Sequence, residues 1–404
     1  MADTSNVSRR MSMSAVVQAI TNYGPISRAS VSKITGLSKQ TVSEIVSNLE
    51  EEGWVGIVGQ TGGHVGRRAV IYELMPDAAA VASVDLGGAK VRVAVCNLVG
   101  AVQSELVEPT NREGGMVAVD QIAGLIRKAC RAAGIPAEKV MIAVVGVPGV
   151  PDPGTGYVRM APNIAGIDRI DVRSLLRERL QIDVLVENDV NLAAIGEHWL
   201  VDRSDGDNLI YLSVGTGIGV GIVAGGQLMR GATGAAGEIG YLPFGADPFE
   251  PESRKTGALE RVAATRAIIE QYRELSGRTA TVPTIFDAAR QGDQAATRAL
   301  ESVARQIARA IAALVAVADP SRIVIGGSIG AREELLELIR ADLARCFPRR
   351  IPVEKSVLGN HAALAGGVSI ALSQLHLSVF AQGLKGVEIA VPPPGPGNFR
   401  VGAA

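Results

Sequence analysis

The chain has 404 residues, 47% of them hydrophobic and 20% charged, which excludes a single small module and a predominantly disordered polymer and leaves room for two or three domains. Its 40 Lys and Arg against 41 Asp and Glu give a net charge of -1, so a coat of positive charge is excluded and any nucleic-acid contact must be local. Cys96, Cys130 and Cys346 are too scattered for a CxxC pair or a zinc cluster, no run reaches the roughly 18 to 20 apolar residues of a membrane span, and the polar N-terminus has no apolar signal region behind it. The expectation is an unexported, cytoplasmic protein in a reducing setting, with no membrane partner, no metal and no cofactor.

From Ser12 to Glu52 apolar residues recur at helical spacing in three runs, broken at Asn22-Tyr23-Gly24-Pro25 and at Gly36-Leu37-Ser38, and this predicts three short helices. Trp54 to Val58 and Ala69 to Leu74 flank the glycine-rich stretch Gln60 to Arg68, the pattern of a hairpin. Three helices and a hairpin make a winged helix-turn-helix, predicted over residues 8–77. Ser38 is a suitable N-cap for the third helix. Its outward residues Lys39, Gln40, Thr41, Ser43 and Glu44 are mostly short or polar, suited to a major groove, while Val42, Ile45, Val46 and Leu49 turn inward. On the wing, Arg67 and Arg68, with His64, lie among glycines that let backbone approach phosphates. The competing reading is a helical domain for protein contacts whose polar third helix is only solvated. As a DNA reader the module would bind weakly alone and gain affinity by dimerisation across two half-sites.

A boundary falls near residue 78. Beyond it, strands at Val81 to Asp85, Val91 to Asn97, Val140 to Val145 and Asp183 to Glu187 alternate with helical stretches such as Val117 to Ala133, an α/β layout predicted over 79–375. Val81 to Val102, with its strands and glycine turns, is echoed by Asn208 to Leu228. After Leu375 the pattern fades, and Pro392-Pro393-Pro394-Gly395-Pro396-Gly397 forbids a helix or central strand. Residues 376–404 are expected to form a flexible or loosely docked tail.

Several short runs carry possible chemistry. Asp85, Gly87, Gly88 and Lys90 form a glycine corner between two strands, and Gly215, Thr216 and Gly217 form another in the echo, read as a turn through Gly219. Such corners offer backbone N–H groups to a phosphate, or they are simply hairpin turns. Neither has the G-x-G-x-x-G spacing of a dinucleotide site. Asn188 and Asp189 stand at a strand-to-helix junction, where they either hydrogen-bond sugar hydroxyls, with Asp189 able to take a proton, or cap the helix. Glu238 and Glu260 add carboxylates in glycine-rich surroundings, and Gly326-Gly327-Ser328 closes a buried strand.

The ordered set, a winged helix followed by Asp85-Leu86-Gly87-Gly88-Ala89-Lys90, Gly146-Val147-Pro148-Gly149, Asn188-Asp189, Gly215 to Gly219, Gly237-Glu238-Ile239-Gly240 and Gly326-Gly327-Ser328, resembles the ROK (repressor, open reading frame, kinase) family over about residues 10–375. The resemblance implies a two-lobed actin/hexokinase-like (ribonuclease H-like) ROK domain with a sugar cleft between its lobes, behind the winged helix-turn-helix. It implies that Asn188, Asp189, Glu238 and Glu260 surround sugar hydroxyls, with Asp189 in the place of the kinase base and Asn163 a further candidate. Three departures matter. Tyr241 stands where the family usually has a zinc-binding, sugar-contacting His; Ala258 replaces a usual Cys, and Gly240 to Glu260 contains no Cys or His, so no zinc site can be built there. Ala89 replaces the Thr of the phosphate corner.

The reading that follows is a sugar-responsive transcriptional regulator, read as a repressor, whose partners are double-stranded operator DNA, a sugar or sugar derivative and a second copy of itself, with pairing of dimers into tetramers left open. The alternative is an ATP-dependent sugar kinase with an accessory DNA-binding domain. A third is a regulator whose cleft no longer takes a sugar. Asp189 is retained in all three.

Overall fold

The structure, a computed structural model, describes residues 4–60, 69–152, 154–161, 163–200, 208–384 and 391–394. The first helix, α1 (Thr4–Tyr23), is followed by the two-residue strand β1 (Ile26–Ser27), then α2 (Arg28–Thr35) and α3 (Lys39–Glu51). The Ser27 hydroxyl accepts from the Ser30 amide at 3.2 Å and that of Ser38 from the Thr41 amide at 3.1 Å, each satisfying an amide the first turn leaves without a helical partner. Gly36, with φ 71°, ends α2 in the left-handed conformation, which glycine adopts without steric cost. Val42, Ile45, Val46 and Leu49 are buried against Val16, Val17 and Ile20 of α1 and Val31 of α2 in the module's apolar interior. The strands β2 (Val55–Gln60) and β3 (Val70–Leu74) pair antiparallel, with β1 on the other side of β3. The winged helix-turn-helix expected from the sequence is therefore present. The wing tip, with His64, Arg67 and Arg68, lies outside the described residues.

The chain divides into two compact units, one holding 1–147, 156–187 and 367–399, the other 148–155 and 188–366. The first contains the winged helix together with β4 (Ala80–Leu86), β5 (Lys90–Asn97), β6 (Val102–Pro109), α4 (Gly115–Ala133), β7 (Val140–Val147), β9 (Val158–Arg159), α5 (Val172–Leu180) and β10 (Asp183–Asn188), while the short β8 (Val150–Pro151), between β7 and β9 in the chain, lies in the second. Its sheet runs β10-β7-β4-β5-β6, antiparallel from β4 to β6 and parallel at β4 and β7. Valines, isoleucines and leucines of this sheet and of α4 and α5 form one aliphatic core.

The second unit follows the same plan. It contains α6 (Asp189–Leu200), β11 (Leu209–Val214), β12 (Ile218–Ala224), β13 (Gln227–Leu228), α7 (Pro251–Thr256), α8 (Glu260–Ala263), α9 (Thr265–Ser276), α10 (Val282–Arg290), α11 (Gln294–Ala318), β14 (Arg322–Gly326), α12 (Glu333–Cys346) and β15 (Val353–Lys355), and α13 (Ala362–Phe380) starts in it. The sheet order is β13-β12-β11-β14-β15. In each sheet three successive antiparallel strands come first and later strands add beside the first of them, so the repeat seen in the sequence is a repeat of topology.

Two features bear on the expected domain bounds. The winged helix is a recognisable module, yet it belongs to the same compact unit as the first sheet: the Trp54 ring meets Phe380 edge-on at 5.2 Å, and the Leu98 amide donates to Pro76 O at 3.0 Å. Part of the region after Leu375 lies among the described residues. The helix α13 continues to Phe380 because Leu375, His376 and Phe380 are buried, and Val391 to Pro394 form one wall of a cavity of about 360 Å³ with Ile20, Glu73 and Leu98.

Within the second unit α6 and the start of α13 meet through glycine. A Cβ placed on Gly196 would lie 2.1 Å from Ala362 O and 2.9 Å from the Gly366 amide nitrogen, contacts that only backbone movement can relieve. The variant Gly196→Ala is expected to lose about 1–3 kcal/mol of stability, read as a lower denaturant midpoint; an unchanged midpoint would show that the two helices separate freely.

Candidate functional site

The exposed face of α3 begins at Lys39 and Gln40. The Gln40 amide donates to Glu44 Oε1 at 3.1 Å, the Thr41 hydroxyl lies 2.8 Å from that of Ser38, and the Ser43 hydroxyl accepts from Arg28 Nη1 at 3.0 Å. All five sequence-predicted α3 residues, Lys39, Gln40, Thr41, Ser43 and Glu44, thus lie on the exposed or half-buried side of the helix. Arg28 was not among the sequence-predicted residues; its place just after the capping Ser27 was the available signal.

In the first unit the glycine corner is the β4–β5 turn. The Gly87 amide donates to Lys90 O at 3.0 Å, and the Thr110 hydroxyl donates to Gly87 O at 2.6 Å. Lys90 is exposed. A Cβ on Gly88 would stand 3.3 Å from both Cβ and O of Asn163, so Asn163 belongs beside this corner. Asp85 is paired with Arg92, Oδ2 to Nη1 at 3.3 Å. Burial raises the Asp85 carboxyl above its ordinary range, and the guanidinium opposes that rise without cancelling it.

In the second unit β12 collects the other candidates. Its side chains alternate between faces: Ile218 and Val220 enter the core, whereas Gly217, just before the strand, and Gly219 and Gly221 within it share the opposite face. Three groups press on that face. A Cβ on Gly217 would come 2.9 Å from Glu260 Oε2; one on Gly219 would be 3.4 Å from Val190 Cγ2; one on Gly221 would lie 2.6 Å from Ala194 Cβ and 2.7 Å from Val190 O. The sequence reading took Gly215 to Gly219 as a turn. Only Gly215 to Gly217 turn, with the Gly215 amide donating to Gly217 O at 2.9 Å, and the strand has already begun at Ile218. The regular spacing of glycines 217, 219 and 221 was the overlooked signal.

Each press carries a candidate residue to β12. Glu260 Oε2 accepts from the Ile218 amide at 3.1 Å. The Val220 amide donates to Gly237 O at 3.0 Å, and Gly237, at φ 97°, would put a Cβ 1.9 Å from Val220 O, so the residue before Glu238 must be glycine. Val190, seated on Gly219, follows Asp189 directly. Asn188 caps α6, its Oδ1 accepting from the Val190 and Asn191 amides at 2.9 and 3.0 Å while its Nδ2 donates to Gly149 O at 2.9 Å. Asp189 opens the helix and accepts from the Val190 amide through Oδ1 at 2.9 Å.

Burial raises the Glu238 carboxyl above the usual range, and burial followed by repulsion from Glu238 raises that of Glu260 despite the Ile218 amide. Among the described residues no basic side chain lowers either one. Tyr241 donates to Lys255 O at 3.2 Å; its phenol is raised by burial and then by both carboxylates, which places it beside the pair. Among the described residues no group of three or more His, Cys, Asp and Glu could hold a metal ion. The site is a half-buried, uncompensated carboxylate pair walled by glycine backbone, suited to accept hydrogen bonds from hydroxyls.

A ROK family model matches residues 81–374, and a winged helix-turn-helix DNA-binding model matches residues 15–55. The chain belongs to the ROK family. The xylose repressor of Caldicellulosiruptor bescii is 28% identical over 383 residues, spanning 89% of this chain and 95% of the relative. A glucokinase of Halalkalibacterium halodurans is 31% identical over 309 residues, 70% of this chain and 92% of its own length. In fold, a ROK family transcriptional regulator described as a homologue of the Escherichia coli MLC protein aligns with TM-score 0.76 at 21% identity, covering 92% of this chain and 98% of that one. ROK members of both kinds thus share this scaffold, and the distinction must come from the site.

Because both carboxyls titrate above their ordinary range in the folded chain, folding favours their protonated forms. Any stability they contribute is complete below the unfolded value of about 4.3 and is lost as pH rises through the folded value. Glu260→Gln keeps an oxygen for the Ile218 amide and removes the repulsion with Glu238. Urea midpoints should show the variant more stable than wild type at about pH 7, with the gain gone near pH 4; a gain independent of pH would contradict the carboxylate assignment.

Proposed function

We propose that this ROK protein is a sugar-responsive repressor whose operator affinity changes when a sugar or sugar derivative binds at the carboxylate site. The observation that carries the reading is the presence, in one chain, of a Ser38-capped helix with an exposed polar face and of two half-buried carboxylates with no basic counterpart among the described residues. Asn188, Asp189, Glu238, Tyr241 and Glu260 form the sugar-facing set. The repressor relatives support the same direction. Cytoplasmic location and a homodimer on two half-sites belong to this proposal as well, since a winged helix reads a short half-site and gains affinity when two are linked.

The kinase reading is disfavoured by the first corner. A nucleotide's metal and phosphates need a free carboxylate and donors there, whereas the Asp85 carboxylate is engaged by Arg92 and Ala89 has no hydroxyl. We infer that phosphoryl transfer has been lost, with Asp85, Gly87, Gly88, Lys90, Gly215, Thr216 and Gly217 as the remnant of the phosphate site.

A ligand that binds only the folded state raises its melting temperature, so a thermal-shift screen of neutral sugars and sugar phosphates should give a hit abolished by Glu238→Ala. A hit that survives both Glu238→Ala and Asp189→Asn would place the ligand elsewhere. Coupling of about 1–3 kcal/mol would alter duplex affinity roughly 5- to 150-fold. A coupled ADP-release assay with the same sugars is expected to show no turnover; turnover abolished by Asp189→Asn would establish the kinase instead. For the DNA module, Gln40→Ala should change sequence preference, whereas Arg68→Ala should weaken all duplexes and lower the salt slope by about 1. Unchanged binding in both variants would remove the DNA assignment.

A further inference from the structure

Arg28, the first residue of α2, engages α3 through both terminal nitrogens of its guanidinium, while its Nε is buried without a hydrogen-bond partner. Nη1 donates to Ser43 Oγ at 3.0 Å and Nη2 to Ser47 Oγ at 3.2 Å, while Nη2 also lies 3.5 Å from Glu50 Oε2. The guanidinium carbon sits 4.9 Å from the centroid of the Tyr72 ring. Ser43, Ser47 and Glu50 follow one another at helical spacing and form a stripe along α3, flanked by the buried positions Val42, Ile45, Val46 and Leu49. Tyr72 is buried in β3, the middle strand of the wing sheet, opposite Ile26 and Ile57. One planar group therefore holds α3 along two turns and rests its face on the strand that leads out of the wing.

The apolar side of α3 fixes its distance from α1 and α2, but apolar contacts tolerate small rotations better than a fork of directed hydrogen bonds does. Rotating α3 about its axis would carry Ser43 and Ser47 away from the two guanidinium nitrogens together. A lysine offers one ammonium without a plane; it can neither bridge two hydroxyls in this geometry nor stack on Tyr72.

We propose that Arg28 is a positioning residue for sequence recognition: it sets the rotation of α3 and ties that helix to the wing, so that Lys39, Gln40 and Glu44 meet base edges in register in the major groove of duplex DNA. This rests on the reading of α3 as the recognition helix. The side chain is engaged with three residues of α3 and one of the wing, so its role is distinct from a free arginine that pairs with phosphate.

The test uses the full chain, a duplex selected from a random-sequence library by the wild-type protein, and a scrambled duplex of equal length. The variant R28K, with an unaltered thermal midpoint, is expected to bind the scrambled duplex like wild type with the same salt slope, and to lose about tenfold or more on the selected duplex. S43A/S47A should lose specificity in the same way, and adding it to R28K should cost little more, because the groups act as one unit. R28A serves as a further comparison if it folds; R28K and S43A/S47A decide the outcome if it does not. Selected-duplex affinity unchanged in R28K would overturn the proposal, and so would an equal loss on both duplexes with a salt slope lower by about 1, the mark of a phosphate contact. If the wild-type chain enriches no sequence at all, the recognition-helix reading falls and takes this proposal with it, an outcome distinct from enrichment that R28K leaves intact.

Discussion

The second unit depends on one bare strip of backbone. Along β12 the residues at 217, 219 and 221 have no side chain; a methyl group at 221 would stand 2.6 Å from Ala194 Cβ and 2.7 Å from Val190 O, and one at 217 would stand 2.9 Å from Glu260 Oε2. The opposite face, Ile218 and Val220, is anchored in an aliphatic core, where each such side chain contributes about 1.5–3 kcal/mol of burial. Alternation along a single strand thus secures the sheet on one side and brings Glu260 and Val190, the neighbour of Asp189, against the other, while Gly237, the neighbour of Glu238, joins through the Val220 amide. Gly237 and Gly257 extend the same logic into the flanking loops, since a Cβ on Gly257 would lie 2.2 Å from Gly240 O.

That backbone framework has an electrostatic consequence. A buried carboxylate without a cation is costly, and here two stand close enough to repel. In the family pattern a zinc-bound His follows the first of these carboxylates; this chain has Tyr241, whose hydroxyl is spent on Lys255 O. Hydroxyl donors from a bound ligand would relieve the pair, whereas another anion would add to the repulsion. The first unit shows the complementary case. There Arg92 already answers Asp85, so the corner that would serve a phosphate has little left to offer one. A scaffold shared with kinases is compatible with a repressor because function resides in the site rather than the fold.

Much of this was readable in the sequence where a single local rule decides the structure. Ser38 caps α3 and Gly36 turns the chain because those residue types suit those backbone conformations, and the repeated strand-glycine-strand pattern became two sheets of like topology. Long-range packing was less legible. Whether Gly219 and Gly221 lie in a turn or a strand depends on what presses against them, and α6 is distant from β12 in the sequence. The helix α13 outlasts its apparent end because Phe380 finds Trp54 in the winged helix, a partner no periodicity reveals. Asn188 takes the capping reading, its Oδ1 on the first turn of α6 and its Nδ2 on Gly149 O. Arg28 drew no reading from the sequence, because Ser43, Ser47 and Tyr72 converge on it only in the folded module.

The central claim is that sugar and DNA act on one equilibrium. Thermodynamic linkage makes that claim quantitative: a ligand that changes duplex affinity by some factor must have its own affinity changed by the same factor when duplex is bound. Calorimetric titration of the sugar into free protein and into the saturated protein–duplex complex, set beside duplex titrations with and without sugar, measures both sides. The account predicts two equal factors, each different from one. A sugar that binds with the same affinity in both states, leaving duplex affinity untouched, would contradict it.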